Sequence, residues 1–214
     1  MLVKLCLLAV LGLALIAVAA DPPAATAQGQ GNPVVAVETS MGTFKIELFE
    51  DKAPITVKNF LGYVDDKFYD GVIFHRVMNG FMVQTGGILP GLKDKDSKKP
   101  PIKNEAANGL SNAKYTVAMA RMTDPDTATS QFFVNVADNK EGLDYKTPNA
   151  QAADPRAKAG SAGYCVFGKV IEGLDVVDKI KTVRVRPVGG HNAVPFDDVT
   201  VKSIRRVEKK ADKK

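Results

Sequence analysis

Phe74-His75-Arg76-Val77-Met78-Asn79-Gly80-Phe81-Met82-Val83-Gln84-Thr85-Gly86-Gly87 lies near the middle of this 214-residue chain and holds parts of two short β-rich runs, Val72 to Met78 and Phe81 to Thr85. Successive side chains of a strand face opposite ways, so the alternation that points Arg76 outward points His75 inward. Moving outward, comparable runs occur at Tyr115 to Met119, Gln131 to Asn135, Tyr164 to Val170 and Val199 to Val207. Upstream, Val34 to Glu38 and Thr43 to Leu48 flank Ser40-Met41-Gly42 and read as an opening hairpin, with Phe44, Ile46 and Leu48 on one face. Only two segments change to helical spacing. Ala53 to Val64 carries Val57, Phe60, Leu61 and Val64 with Pro54 suited to the first turn and Asp51 to the cap, and Leu174 to Ile180 carries Leu174, Val177 and Ile180 on one stripe. Many short strands and two helices argue for an antiparallel barrel or sandwich, not a parallel α/β sheet.

Composition places these elements in one domain. Apolar residues make up 45% of the chain and charged residues 25%, values of a globular protein with a single core. The net charge of +5 comes entirely from Val201 to Lys214, where seven bases face two acids. This stretch, whose last residues 208–214 are placed as a basic tail beyond the domain, has no aromatics to stack on bases, so nucleic acid is not an expected partner. At the other end, Lys4, the apolar run Leu5 to Val18 and the small residues Ala17, Ala19 and Ala20 form the pattern of a secretory signal over residues 1–20. The run is shorter than the ~20 residues usually needed to cross a bilayer, which favours cleavage over a retained anchor. A second small-x-small site, Ala25-Thr26-Ala27, leaves the cut point open. Residues 21–32 read as a flexible linker rich in Pro, Ala, Gln and Gly, and residues 33–207 as the folded domain. Of the two cysteines, Cys6 falls inside the signal, and Cys165, between Tyr164 and Val166, reads as a buried small hydrophobe. Two long loops remain, Ile88 to Leu110 and the Ala/Gly/Pro-rich insertion Lys146 to Gly163.

Several chemistries lack their residues. With only His75, His191 and one mature cysteine, no His/Cys zinc cluster can be assembled, and no metal or cofactor is expected. Neither a phosphate-cradling loop nor a paired-glycine dinucleotide fingerprint is present, and no serine sits in a nucleophile elbow. A triad of Ser130, His75 and some aspartate is a combination that any chain of this size offers.

The opening run, together with Ala118-Met119-Ala120-Arg121 and Ser130-Gln131-Phe132-Phe133-Val134-Asn135, resembles the signature of the cyclophilins, in particular the bacterial ones. Further matching blocks are Ala53-Pro54 through Asn59-Phe60-Leu61, Phe68-Tyr69, Lys103-Asn104-Glu105-Ala106 and Val166-Phe167-Gly168-Lys169-Val170 with Gly173-Leu174-Asp175-Val176-Val177. The resemblance implies a mainly β fold, an eight-stranded antiparallel barrel capped by two α-helices, with a substrate groove on its outer face. It implies a peptidyl-prolyl cis-trans isomerase with catalytic residues Arg76 and Gln84. Substrate-binding positions carried over are Phe81, Met82, Ala120, Gln131, Phe133, Leu143 and Tyr164. Taken singly, the Phe and Met residues read better as core than as a pocket, and Arg76 reads also as a surface ion-pair partner; the ordered match reverses this and points to a site.

The bond before proline resists rotation because amide resonance raises a barrier of ~18–20 kcal/mol. A donor aimed at the amide nitrogen, which regains its lone pair as the bond twists, favours the transition state over the planar ground state. No acid or base takes part, so activity should be nearly flat across neutral pH. This chain has no tryptophan, and Gly142 falls near the position where many eukaryotic cyclophilins carry one, so weak cyclosporin binding is expected. Tyr164 stands where those members often have a pocket-edge histidine. With the signal, these features make a periplasmic, monomeric folding enzyme the expectation, acting on proline-containing segments of exported proteins. The alternative is a proline-peptide-binding chaperone module with little turnover.

Overall fold

A computed structural model describes residues 31–149 and 160–208, and the compact unit that holds the fold begins at Asn32. Residues 1–20, most of the linker, the middle of the Lys146 to Gly163 insertion and all but Glu208 of the basic tail lie outside the described residues. The elements are β1 (Val34–Thr39), β2 (Gly42–Leu48), α1 (Pro54–Asp65), β3 (Arg76–Met78), β4 (Met82–Thr85), β5 (Ile88–Leu89), β6 (Lys93–Asp94), β7 (Thr116–Met119), β8 (Phe132–Asn135), α2 (Lys140–Leu143), β9 (Val166–Glu172), α3 (Leu174–Lys181), β10 (Val185–Val188), β11 (His191–Pro195) and β12 (Val201–Arg206).

Eight strands form one antiparallel sheet in the order β12-β1-β2-β9-β7-β8-β4-β3. Its two edges meet. The Gly71 and Phe74 amides donate to the Val201 and Val199 carbonyls, and the Val201 amide donates back to the Val72 carbonyl. The expected strand Val72 to Met78 is therefore split at His75: residues 71–74 pair with the start of the last strand, and only Arg76–Met78 pairs with β4. This change of partner curls the sheet into a barrel and leaves no long open edge.

Alternation along the strands fills the interior. Val77, Val83, Val134 and Val117 stand opposite one another across β3, β4, β8 and β7, all essentially buried. Phe60 of α1 brings an aromatic ring to this core, 5.3 Å from Phe132, 5.2 Å from Phe167 and 5.4 Å from Tyr69. Burial of Val57, Phe60, Leu61 and Val64 agrees with the helical spacing of α1.

Three details depart from the sequence expectations. Asp51 does not cap α1: the N-cap is Ala53, which has no side-chain cap, and Glu105 takes the role from the long loop. The Glu105 carboxylate accepts from the Ile55 and Thr56 amides at 3.1 and 2.8 Å and from the Thr56 hydroxyl at 2.7 Å. Helix α3 buries Val176, Val177 and Ile180 and leaves Leu174, at its first turn, exposed. The sequence patterns also did not show the single-turn α2 or the hairpins β5–β6 and β10–β11, which are short and mostly polar or exposed. Among the described residues no helix is long and apolar enough to cross a membrane.

Candidate active site

The outer face of the barrel carries a second alternation set. Arg76 stands opposite Gln84, Gln84 opposite Phe133, Phe133 opposite Ala118 and Ala118 opposite Val166, one continuous row over β3, β4, β8, β7 and β9. Met82, Phe133, Ala118 and Val166 form an apolar cluster separate from the barrel interior, with Phe81, Ala120, Leu143 and Tyr164 packed against it. The core alternative for Met82 and Phe133 is therefore only half true: they are buried, but on the outside of the sheet.

Above this cluster is a cavity of about 280 Å³ lined by Arg76, Phe81, Met82, Gln84, Ala120, Arg121, Phe133, Leu143 and Tyr164. Larger hollows of about 600 Å³ beside α3 and about 870 Å³ along α1 are open grooves with no comparable row of converging strand residues. Gln131 does not line the 280 Å³ cavity; it accepts a hydrogen bond from Gln84 Nε2 at 2.9 Å, which leaves the second N–H of that amide for another acceptor. Gly86 and Gly87 make this pairing possible. Gly86 has φ +101°, and a Cβ there would sit 2.8 Å from the Ser130 carbonyl, while one on Gly87 would strike Gln131.

Arg76 is half-buried, with its Cζ 5.9 Å from the centre of the Phe81 ring, and has no salt-bridge partner among the described residues. The ion-pair alternative thus finds no carboxylate, and the guanidinium charge is left facing the cavity rim. Phe133 and Tyr164 meet edge to face at 5.8 Å. Arg121, which the sequence does not mark as a site residue, stacks its guanidinium 4.4 Å over the Tyr164 ring and donates to the Gly163 carbonyl at 3.0 Å. It braces Tyr164 at the cavity wall, a contact between residues that sequence spacing alone could not pair.

Three groups with shifted titration near the site, His75, Cys165 and Asp144, do not line the cavity. His75 points inward at 5% exposure; burial, then the neighbouring His191, lowers its pKa to about 4. Cys165 is buried beside the Thr56 hydroxyl, and burial pushes its thiol up to about 11. Under α2, burial pushes the Asp144 carboxyl up, but hydrogen bonds from the Asn112 amide, the Ser111 hydroxyl and the Asn112 side chain outweigh it and hold the group below the usual carboxylate range.

The family model described as cyclophilin type peptidyl-prolyl cis-trans isomerase/CLD matches residues 34–206. The chain belongs to this family. This cyclophilin is 48% identical over 180 residues to a peptidyl-prolyl cis-trans isomerase of Acinetobacter baylyi, covering 84% of this chain and 88% of the relative. It is 49% identical over 171 residues to peptidyl-prolyl cis-trans isomerase B of Escherichia coli, covering 80% of this chain and 98% of the relative. Its fold is similar to that of a Cryptosporidium parvum cyclophilin type isomerase crystallised in the presence of the dipeptide Ala-Pro, with a TM-score of 0.65 and 24% identity over 82% of this chain and 99% of the other. The mainly β, eight-stranded antiparallel fold and the isomerase activity expected from the sequence both hold for this cyclophilin.

Proposed function

We propose that this peptidyl-prolyl isomerase is exported to the periplasm and accelerates Xaa-Pro rotation in exported proteins, with Arg76 as the group that drives rotation. The observation that carries the role of Arg76 is its position: its guanidinium, with no salt-bridge partner among the described residues, stands in the row with Gln84 and Phe133 and lines the cavity of about 280 Å³ to which Phe81, Met82, Phe133 and Leu143 add apolar walls. Phe81, Met82, Phe133 and Leu143 hold the pyrrolidine ring while the acyl side turns, Gln84 donates its free N–H to the moving carbonyl oxygen, and Arg76 donates to the pyramidal nitrogen.

Magnitudes show why the pocket is needed beside the arginine. Turnover in milliseconds requires roughly 10⁴-fold acceleration, about 5–6 kcal/mol. A charge-assisted hydrogen bond supplies ~1.5–3 kcal/mol. The remainder comes from fixing the ring and from removing water around a carbonyl whose charge separation falls as the amide twists. Export rests on the signal pattern of residues 1–20, which lie outside the described residues. The rim at Gly142, where a Cβ would meet nothing within 4 Å, offers no indole to cyclosporin, and its binding is weak in this reading.

One preparation tests both parts. Protein recovered from the cell envelope should have the mass of a chain cut after Ala20 or after Ala27, and should speed exchange of a prolyl tetrapeptide. Arg76→Ala in the same preparation should lose about 10- to 100-fold in kcat/KM, the worth of one charge-assisted bond. An unchanged rate would remove Arg76 from the mechanism, an uncut mass would replace the cleaved signal with a retained anchor, and absence of the protein from the cell envelope would remove the export reading.

A further inference from the structure

Beneath the pocket lies a buried polar layer that prolyl isomerisation does not itself require. Asn112 and Asn135 are both 0% exposed. Asn135 follows Val134 on β8 and so shares the outer face of Phe133. Its Nδ2 donates to Asn112 Oδ1 at 3.2 Å and to Thr116 Oγ1 at 3.0 Å. Asn112 Nδ2 is shared among the Leu143 carbonyl at 3.2 Å, the Tyr164 carbonyl at 3.2 Å and Asp144 Oδ1 at 3.0 Å. On the other side, Asn139 Nδ2 donates to Asn135 Oδ1 at 2.7 Å and to the Phe81 carbonyl at 2.8 Å.

Three asparagines thus run from the backbone of Phe81 to the backbones of Leu143 and Tyr164, three residues whose side chains wall the cavity. None of the asparagines lines the cavity itself. Apolar walls alone tolerate repacking, because dispersion contacts are non-directional. A chain of buried amides does not: each has a fixed reach, and a buried donor or acceptor left without a partner is costly. The relay therefore fixes the separation of the Phe81 wall from the Leu143 and Tyr164 wall.

We propose that Asn112, Asn135 and Asn139 are positioning residues that set the width of the proline pocket and so the size of ring the enzyme accepts. This rests on the pocket assigned under the proposed function. The probe is a pair of tetrapeptides identical except that one carries proline and the other pipecolic acid, whose ring is one methylene larger. For the unaltered enzyme, Asn112→Ala and Asn139→Ala, kcat and KM are measured on both peptides and scaled to the folded fraction.

Both variants should raise the ratio of pipecolyl to prolyl kcat/KM at least fivefold, with KM for the prolyl peptide rising more than kcat falls. A ratio that stays constant, whether the rates fall together or not at all, overturns the proposal, since a purely structural role slows both peptides alike. Asn139 sits at the half-buried end of the relay, and its substitution leaves the Asn112–Asn135 bond in place, so it carries the test if Asn112→Ala does not fold. An unaltered enzyme without prolyl turnover would instead refute the underlying reading, whereas active enzyme with a constant ratio refutes the relay alone.

Discussion

Arg76 and His75 are neighbours in sequence and opposites in environment. Arg76 lines a cavity that, among the described residues, has no carboxylate, histidine or cysteine in its wall. His75 is buried beside it, its Nδ1 without a hydrogen-bond partner among the described residues, edge to face with His191 at 6.4 Å. Its folded pKa of about 4 lies below the unfolded value of 6.5. Between those values the unfolded chain holds the extra proton, so stability rises with pH through this window and is lost as pH falls through it. The full effect is about 3 kcal/mol at 1.36 kcal/mol per unit. The paired carboxylates Asp65 and Asp70, held low by Arg206 and Arg205, lose stability only at lower pH. Urea unfolding at pH 7 and pH 5 should show the native enzyme losing about 2 kcal/mol over this interval and His75→Phe losing much less, while isomerase activity of the folded enzyme stays level from pH 6 to 8.5. Equal losses in both proteins would exclude His75 as the source.

Strand β8 shows the same division within one element. Phe132 faces the interior, 5.3 Å from Phe60 and 5.5 Å from Tyr69, and Phe133 faces the outer cavity against Tyr164. Truncating a buried aromatic costs about 3–5 kcal/mol because it leaves a void that the barrel cannot close. Phe132→Ala should accordingly lower stability by about that amount and change kcat/KM of the folded fraction little. Phe133→Ala should do the reverse if it holds the ring as proposed, costing roughly tenfold or more in kcat/KM, with the smaller stability loss of a site whose far side opens to solvent. Denaturation midpoints and peptide turnover on the two variants separate these outcomes, and matching profiles would show that the two faces of β8 are not functionally distinct. Helix α1 depends on a partner outside itself. Its first turn is capped by Glu105, 49 residues from Thr56, and neighbouring Asn104 donates to the Ala162 and Gly163 carbonyls beside Tyr164. One loop thus joins the helix start to the site's edge.

At the scale of the molecule, the barrel is closed by its last strand. β12 pairs with β1 along its length, residues 199–201 pair with 71–74, and the Val207 amide donates to the Val34 carbonyl. Arg205 and Arg206 form bidentate pairs with Asp70 and Asp65, contacts at an exposed surface that are worth little singly. Removing residues 199–214 should abolish cooperative thermal unfolding, because β1 and residues 71–74 would both lose their partner. Ending the chain after Glu208 should leave the melting temperature unchanged, since it keeps every backbone pairing of this strand end among the described residues, through Val207. A cooperative transition in the shorter protein would show that closure is not what holds the sheet together.

The residues by themselves determined a good deal. Period-two alternation located eight strands close to their positions, 3.6-residue spacing located α1, and ordered blocks carried the family and most of the cavity lining. The long-range partners lay beyond those signals. Alternation gives the face of a side chain but not the strand opposite it, so the row Arg76, Gln84, Phe133, Ala118 emerged only from cross-strand register. The same holds for the Glu105 cap, the stacking of Arg121 on Tyr164 and the asparagine relay, where Asn112 reaches Asn135 and Tyr164 across 23 and 52 residues. Such contacts are made by folding the barrel, and a polar residue within an apolar run looks the same in sequence whether its amide ends in solvent or between two walls of a pocket.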